Sequence, residues 1–152
     1  MSTYSPNLRL ELITTGTQAG AWGNTTNTNL GSLIEGAISG YTTVSVTSAS
    51  QAFTALYGAA DESRCAVIRL TTSTTAAFAV YAPPSPKEYT IYNSTAYVAT
   101  IYNSTTLGNT TAAGTGVAIP AGATMTVWSN GCLLYTSPSP RDRTRSRMPS
   151  SA

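Results

Sequence analysis

The chain has 152 residues, only 9% of them charged, and a formal net charge of +2 at pH 7. The absence of histidine excludes Ser-His-Asp and Cys-His nucleophile systems as well as imidazole metal sites. The basic excess comes from the last 21 residues, since residues 1–131 hold four basic against five acidic side chains. That balance predicts no nucleic-acid partner. No apolar run reaches membrane-spanning length, so we also expect no membrane insertion.

Residues 1–41 are predicted to form a strand, a loop and a helix. Residues 8–12 alternate apolar and charged side chains, which predicts a half-buried strand with its charges on the polar face. The loop at 16–29 contains one large apolar side chain, that of Trp22. Apolar residues spaced i, i+3, i+4, i+7 and i+8 then predict a helix over 30–38 with a single apolar stripe.

Residues 42–131 show a two-residue period interrupted by turn residues, which predicts a β-rich module. The predicted fold class is mainly β: an antiparallel β-sandwich or barrel-like module follows the N-terminal strand, loop and helix. The sequence IYNST occurs twice, and we expect Asn93 and Asn103 to end two strands in the same side-chain-to-backbone turn. The predicted strands are 42–47, 52–56, 66–71, 77–82, 88–92, 97–102, 116–119 and 124–129.

The few reactive side chains do not form a recognisable catalytic pattern, so we expect no enzyme activity, cofactor or metal. Asp61 and Glu62 are adjacent in a turn, where capping or solvation is the expected role. Glu88 begins a predicted strand and is interpreted as an edge charge that discourages sheet association. Cys65 is predicted to be a small packed side chain.

The aromatic residues allow two interpretations. Tyrosines 89, 92, 97 and 102 would stack on sugar rings or pack between strands, and their odd spacings place neighbours on opposite faces, which favours packing. Trp22 would serve as a docking contact or lie over the helix at 30–38, and the sequence leaves both open.

The block NLRLELITTGTQAGAWGNTTNTNLGSLIEGAISGY resembles the N-terminal segment of tail-fibre and minor structural proteins of tailed bacteriophages, a group common in environmental phage genomes. Those proteins share the pattern G-x-Q-A-G-x-W-G-x-x-T-N-x-N-L-G. It is matched here by Gly16, Gln18, Ala19, Gly20, Trp22, Gly23, Thr26, Asn27, Asn29, Leu30 and Gly31. The resemblance extends more weakly through the β-rich module, and it supplies no catalytic residues.

The resemblance implies a structural component of the virion, made in the host cytoplasm and located in the phage tail. It implies a homotrimer that contacts other tail or baseplate proteins and takes part in host attachment through a surface glycan or protein. Residues 1–41 would then be the virion connector, with Trp22, Gln18, Asn27 and Asn29 as docking residues. The alternative is a carbohydrate-binding or adhesin-like β module of a bacterial surface protein.

The last 21 residues, CLLYTSPSPRDRTRSRMPSSA, differ in composition from everything before them. They resemble one reading frame of a transposon-end adapter used in sequencing libraries, which implies that residues 132–152 are not native and that the β module is truncated. The other interpretation is a natural basic, proline-rich tail. Since Asn130-Gly131 is a hairpin signal, we expect residues 132–135 to pair as a returning strand and the remainder to be irregular.

Overall fold

The computed structural model describes residues 2–136, so the tail predicted to be irregular lies outside the described residues from position 137 onward. The protein is mainly β, as predicted. Its strands form three sheets. They are β1 (Thr3–Tyr4), β2 (Glu11–Leu12), β3 (Tyr41–Val46), β4 (Ser50–Ala52), β5 (Val67–Thr72), β6 (Phe78–Ala82), β7 (Pro86–Asn93), β8 (Ala99–Asn103), β9 (Val117–Ile119), β10 (Thr124–Asn130) and β11 (Leu134–Thr136).

A helical segment precedes the larger sheets, but it begins earlier than predicted. It consists of α1 (Trp22–Thr28), a π-helical turn (Asn29–Ile34) and α2 (Glu35–Ser39). The single apolar stripe predicted for 30–38 is wrong, because only Leu33 of its members is fully buried and Ile38 is 75% exposed. The i→i+5 bonds of the π-helical turn change the angular spacing that the prediction assumed. None of the helices within residues 2–136 is long and apolar enough to cross a membrane.

Two mixed sheets follow, and from β3 to β8 the chain alternates between them. The first has the order β11-β10-β7-β5-β3, and the second has the order β4-β6-β8-β9. Three successive strand pairs, β3–β4, β5–β6 and β7–β8, therefore form coils that stack with parallel pairing in both sheets. The predicted antiparallel arrangement is wrong for these coils. It is right only for the pairings β8–β9, β7–β10 and β10–β11.

The core lies between the two sheets and takes alternate residues from each strand. Ile91 on β7 and Ile101 on β8 are completely buried, so the two copies of IYNST contribute to the same core from opposite sheets. The other buried members are Val44, Val46, Phe53, Ile68, Leu70, Phe78, Val80, Ala82, Tyr89, Ala99, Ile119, Val127 and Leu134. This alternation leaves hydroxyl-bearing and aromatic side chains on the outer faces.

The four tyrosines do not share one platform, as predicted, and the prediction of packing is confirmed for Tyr89 and Tyr102. Tyr89 is buried in the core. Tyr102 stacks on Tyr81 of the neighbouring strand, with ring centroids 5.3 Å apart. Tyr92 is on the other sheet from Tyr102. The interpretation of Glu88 as an edge charge is wrong, because β7 lies between β10 and β5 inside the first sheet.

The hairpin predicted at Asn130-Gly131 is present. Gly131 has φ +95, and β11 pairs with β10 so that Ser129 faces Leu134. Leu134 enters the core, and Tyr135 stacks on Trp128 with ring centroids 4.5 Å apart. The segment with the adapter-like sequence therefore completes the edge of the first sheet.

Candidate docking surface of the N-terminal segment

The strand predicted at 8–12 is interrupted by Arg9. Only Glu11–Leu12 is extended and paired, with β1 as its antiparallel partner. Arg9 has φ +53, in the left-handed region that side chains rarely adopt, and it is 3% exposed. The prediction of Arg9 on a polar, solvent-facing strand side is wrong. Its guanidinium turns inward to a buried carboxylate, and those contacts offset the cost of the backbone conformation.

That carboxylate belongs to Asp61, whose side chain is completely buried. Its Oδ2 lies 3.2 Å from Nη2 of Arg9 and 3.2 Å from Nε of Arg64. Its Oδ1 accepts hydrogen bonds from the Ser63 hydroxyl and from the backbone N–H of Arg64. Asp61 thus caps the 3₁₀ turn Glu62–Arg64, which confirms the predicted capping role, and it also forms ion pairs with two guanidiniums that lie far apart in the sequence.

The two guanidiniums of this cluster also bond to main-chain carbonyls. Arg9 Nε donates to Leu56 O at 3.1 Å, and Arg64 donates to Leu8 O and Leu56 O. Burial lowers the pKa of Arg64, and the charge of Asp61 opposes that shift. The cluster joins the N-terminal segment to the turn before β5, so it holds the segment against the coils.

Gln18 and Asn29, two of the predicted docking residues, stabilise the N-terminal segment through internal hydrogen bonds. The Gln18 amide donates to Glu11 Oε1 at 2.9 Å and accepts from the Thr25 hydroxyl at 2.7 Å. Asn29 Nδ2 donates to Glu11 O, and its Oδ1 accepts the Glu11 N–H, so this amide pairs with β2 as a neighbouring strand would. Their amides are therefore used to position the loop and the helix.

Trp22 and Asn27, the other two, are exposed on α1. Trp22 is 61% exposed and, with Ile13 and Ala19, lines a shallow groove of about 240 Å³. Gln18 lines this groove and a second one of about 270 Å³ beside Glu11. The alternative in which Trp22 lies over the helix at 30–38 is wrong, because Trp22 begins that helical segment and faces the loop. The docking role of Trp22 stays a prediction.

The reactive groups of this region are engaged in packing. Cys65 packs against the core, as predicted, and burial raises the pKa of its thiol. Among residues 2–136 no three His, Cys, Asp or Glu side chains lie close enough together to hold a metal ion. Sequence reasoning missed the Arg9–Asp61–Arg64 cluster. The one signal for it is that four of the nine charges in residues 1–131, those of Arg9, Asp61, Glu62 and Arg64, are in or beside the two turns that meet.

Lys87 provides a pH-dependent test of the packing beside this cluster. Its Nζ donates to Cys65 O at 2.9 Å and to Glu88 O at 3.1 Å, and it lies 4.2 Å from the Tyr89 ring centroid. Burial lowers the pKa of Lys87 from 10.5 to about 8, with partial opposition from Cys65, Asp61 and Glu88. Between these pKa values the unfolded chain binds more protons, so stability rises with pH across that window.

Between pH 7.5 and 9.0 we therefore expect the free energy of unfolding of the protein to rise by about 1 kcal/mol more than that of its Lys87→Met variant. Urea unfolding at both pH values measures this double difference. Both chains carry Cys65→Ser, because burial also shifts the pKa of that thiol. A difference that does not change with pH would contradict the buried position of the ammonium.

Comparison with known proteins gives no family assignment: no family model, curated protein or solved structure matches the chain.

Proposed function

We propose that this chain is a structural component of a bacteriophage virion, a tail fibre or minor tail protein that contributes to host attachment. The proposal rests on the sequence block that resembles phage tail proteins. The observation that carries it is that the residues of that block have two different roles, internal hydrogen bonding and exposure to solvent. Gln18 and Asn29 are held by Glu11 inside the segment, whereas Trp22 and Leu30 are presented to solvent.

Such an arrangement suits a connector. A contiguous apolar surface on a rigid support marks an interaction site, because leaving it in water is unfavourable. The N-terminal segment exposes several large apolar side chains: Leu12, Ile13, Trp22, Leu30 and Ile38 are each at least 40% exposed, and Ile13 and Trp22 line the same groove. The proposed partners are other proteins of the tail or baseplate, and the proposed location is the virion after synthesis in the host cytoplasm.

The strands of the first coil, β3 and β4, lie at the edges of their sheets, which supports self-assembly as part of this proposal. Within the described residues, β3 and β4 are the last strands of their sheets on the same side of the stacked coils. Unpaired strand edges invite pairing with another chain. A homotrimer would cover them together with the apolar residues of the N-terminal segment, and light scattering of the full chain measures that state.

The test of the virion proposal is mass spectrometry of density-purified tailed-phage particles from the environment that carries the gene. Trypsin cleaves after Arg69 and Lys87, so the peptide covering residues 70–87 reports the β module alone. We expect it in the particle band at constant ratio to capsid peptides through successive gradients. Its presence only in the cell-envelope fraction would contradict the proposal and favour the second candidate.

The second candidate is a carbohydrate-binding or adhesin-like module of a bacterial surface protein. It is favoured by the exposed aromatic side chains on the outer face of the first sheet, where Trp128 and Tyr41 are 45% and 59% exposed. An envelope location of the same peptide would distinguish it from a virion component.

A further inference from the structure

Arg69 differs from every other cation of residues 2–136. Arg9 and Arg64 share Asp61, and Lys87 donates to two carbonyl oxygens. Arg69 forms no salt bridge within this part of the chain. Its one hydrogen bond runs from Nη2 to Ser94 Oγ at 3.0 Å, and its buried Nε has no acceptor. The guanidinium is thus held at one end while most of its donors lack a protein acceptor.

The strand register places this guanidinium on the outer face of the first sheet. On β5 the buried residues alternate with outward-facing ones, and Arg69 belongs to the outward set. Its neighbours across the paired strands are Thr43 on β3 and Tyr92 on β7, each about 4.8 Å away along the hydrogen-bonding direction. An aromatic ring and a hydroxyl therefore flank the charge.

The rest of this face has the same character. The adjacent row runs Tyr41, Val67, Thr90 and Thr126, and a more distant row holds Glu88, Trp128 and Tyr135. Most of these outward side chains are hydroxyl-bearing or aromatic. The face therefore offers ring surfaces and hydroxyl groups around a single cation that no carboxylate neutralises.

This combination matches an acidic sugar better than the other polyanions. A guanidinium pairs with a planar carboxylate through two parallel hydrogen bonds. The apolar C–H edge of a pyranose packs on the negative face of an aromatic ring. A nucleic acid requires several cations along its backbone, whereas here one cation shares the face with Glu88.

We propose that the outer face of the first sheet binds an acidic polysaccharide, with Arg69 pairing with a sugar carboxylate and Tyr92 and Tyr41 packing against the rings beside it. As a means of host attachment, this inference rests on the proposed virion function. The binding itself is a property of the chain alone. It adds a ligand class and a site separate from the N-terminal docking surface.

The test is titration calorimetry of the full chain with a hexamer of galacturonate. Arg141, Arg143, Arg145 and Arg147 are changed to glutamine in every sample, because they would attract any polyanion. We expect binding that weakens with salt, at least tenfold weaker binding in Arg69→Gln, and weak binding of the methyl-esterified hexamer. Tyr92→Ala is also expected to weaken binding severalfold.

Lys87→Gln is the charge-matched control, since it removes one cation from elsewhere on the same sheet and should change affinity less than twofold. No binding by the parent chain, or equal binding of the acidic and esterified hexamers, would overturn the inference even if Arg69→Gln failed to fold. Equal affinity of a folded Arg69→Gln variant would overturn it as well. None of these results bears on whether the peptide of residues 70–87 is found in virions. The sugar-binding proposal and the virion proposal can therefore fail independently.

Discussion

Asp61→Ala is expected to lower the free energy of unfolding by about 3–5 kcal/mol, because it leaves two buried guanidiniums without a counter-charge. Arg9 and Arg64 are both nearly inaccessible to solvent. The variant also removes the cap of the 3₁₀ turn and the acceptor of the Ser63 hydroxyl. Urea unfolding of the full chain at neutral pH measures the loss.

Glu35→Ala is the matched control, since it deletes an exposed carboxylate from α2 and should change stability by less than about 0.5 kcal/mol. In Asp61→Ala we further expect proteolysis to cut the N-terminal segment before the sheets, because the cluster joins the two. A loss below about 1 kcal/mol would show that the guanidiniums reach solvent when Asp61 is removed.

The strands were predictable because the outer faces are polar. Predicted strands at 66–71, 77–82 and 124–129 lie within one residue of β5, β6 and β10 at each end. The strand predicted at 52–56 is wrong: β4 is Ser50–Ala52, and Phe53 enters the core just after it. Its residues AFTAL have no two-residue period, and of them only Phe53 is buried, whereas Leu56 is 43% exposed.

The parallel coils could not be predicted from the same pattern. Alternation of buried and exposed residues is identical in parallel and antiparallel strands when one face is solvated. A fixed repeat would have revealed the coils, but Tyr41 aligns with Val67 and Val67 with Thr90, which gives unequal spacings of 26 and 23 residues. An antiparallel module would place hairpins after β3, β5 and β7, whereas each of these turns leads to the opposite sheet.

The candidate sites depended on pairings that sequence does not contain. Arg9 and Asp61 are 52 residues apart, and Arg69 meets Ser94 across 25. The pattern identified Trp22 as a large apolar group in a polar loop, and the structure adds that it is exposed beside Ile13. Whether a side-chain amide stabilises the fold or contacts a partner depends on such distant neighbours. The sequence alone therefore could not distinguish the role of Gln18 from that of Asn27.

Asn93→Ala is expected to cost about 3 kcal/mol, and Asn103→Ala about 1 kcal/mol, although both follow Ile-Tyr and both are almost completely buried. The Asn93 amide donates to Tyr97 O, Ile119 O and Pro120 O, and its Oδ1 accepts from the backbone and hydroxyl of Thr95. This confirms its predicted turn. Removing the amide loses three donated hydrogen bonds and takes the Asn93 acceptor from the Thr95 N–H, and a buried polar group left without a partner costs about 1–3 kcal/mol.

The prediction of the same turn for Asn103 is wrong. Its amide crosses to Ser129 Oγ at 2.6 Å, because the chain after β8 continues along the sheet and leaves no local donor for Oδ1, which is buried without a partner. Because Oδ1 of Asn103 already lacks a hydrogen-bond partner, truncating this side chain costs less free energy of unfolding. Beyond the loss in Asn103→Ala alone, the double variant Asn103→Ala with Ser129→Ala should therefore lose only the hydrogen bond from the Gly131 N–H to Ser129 Oγ, about 1 kcal/mol. Equal losses for Asn93→Ala and Asn103→Ala, measured by urea unfolding, would mean that packing volume and not hydrogen bonding fixes the two strand ends.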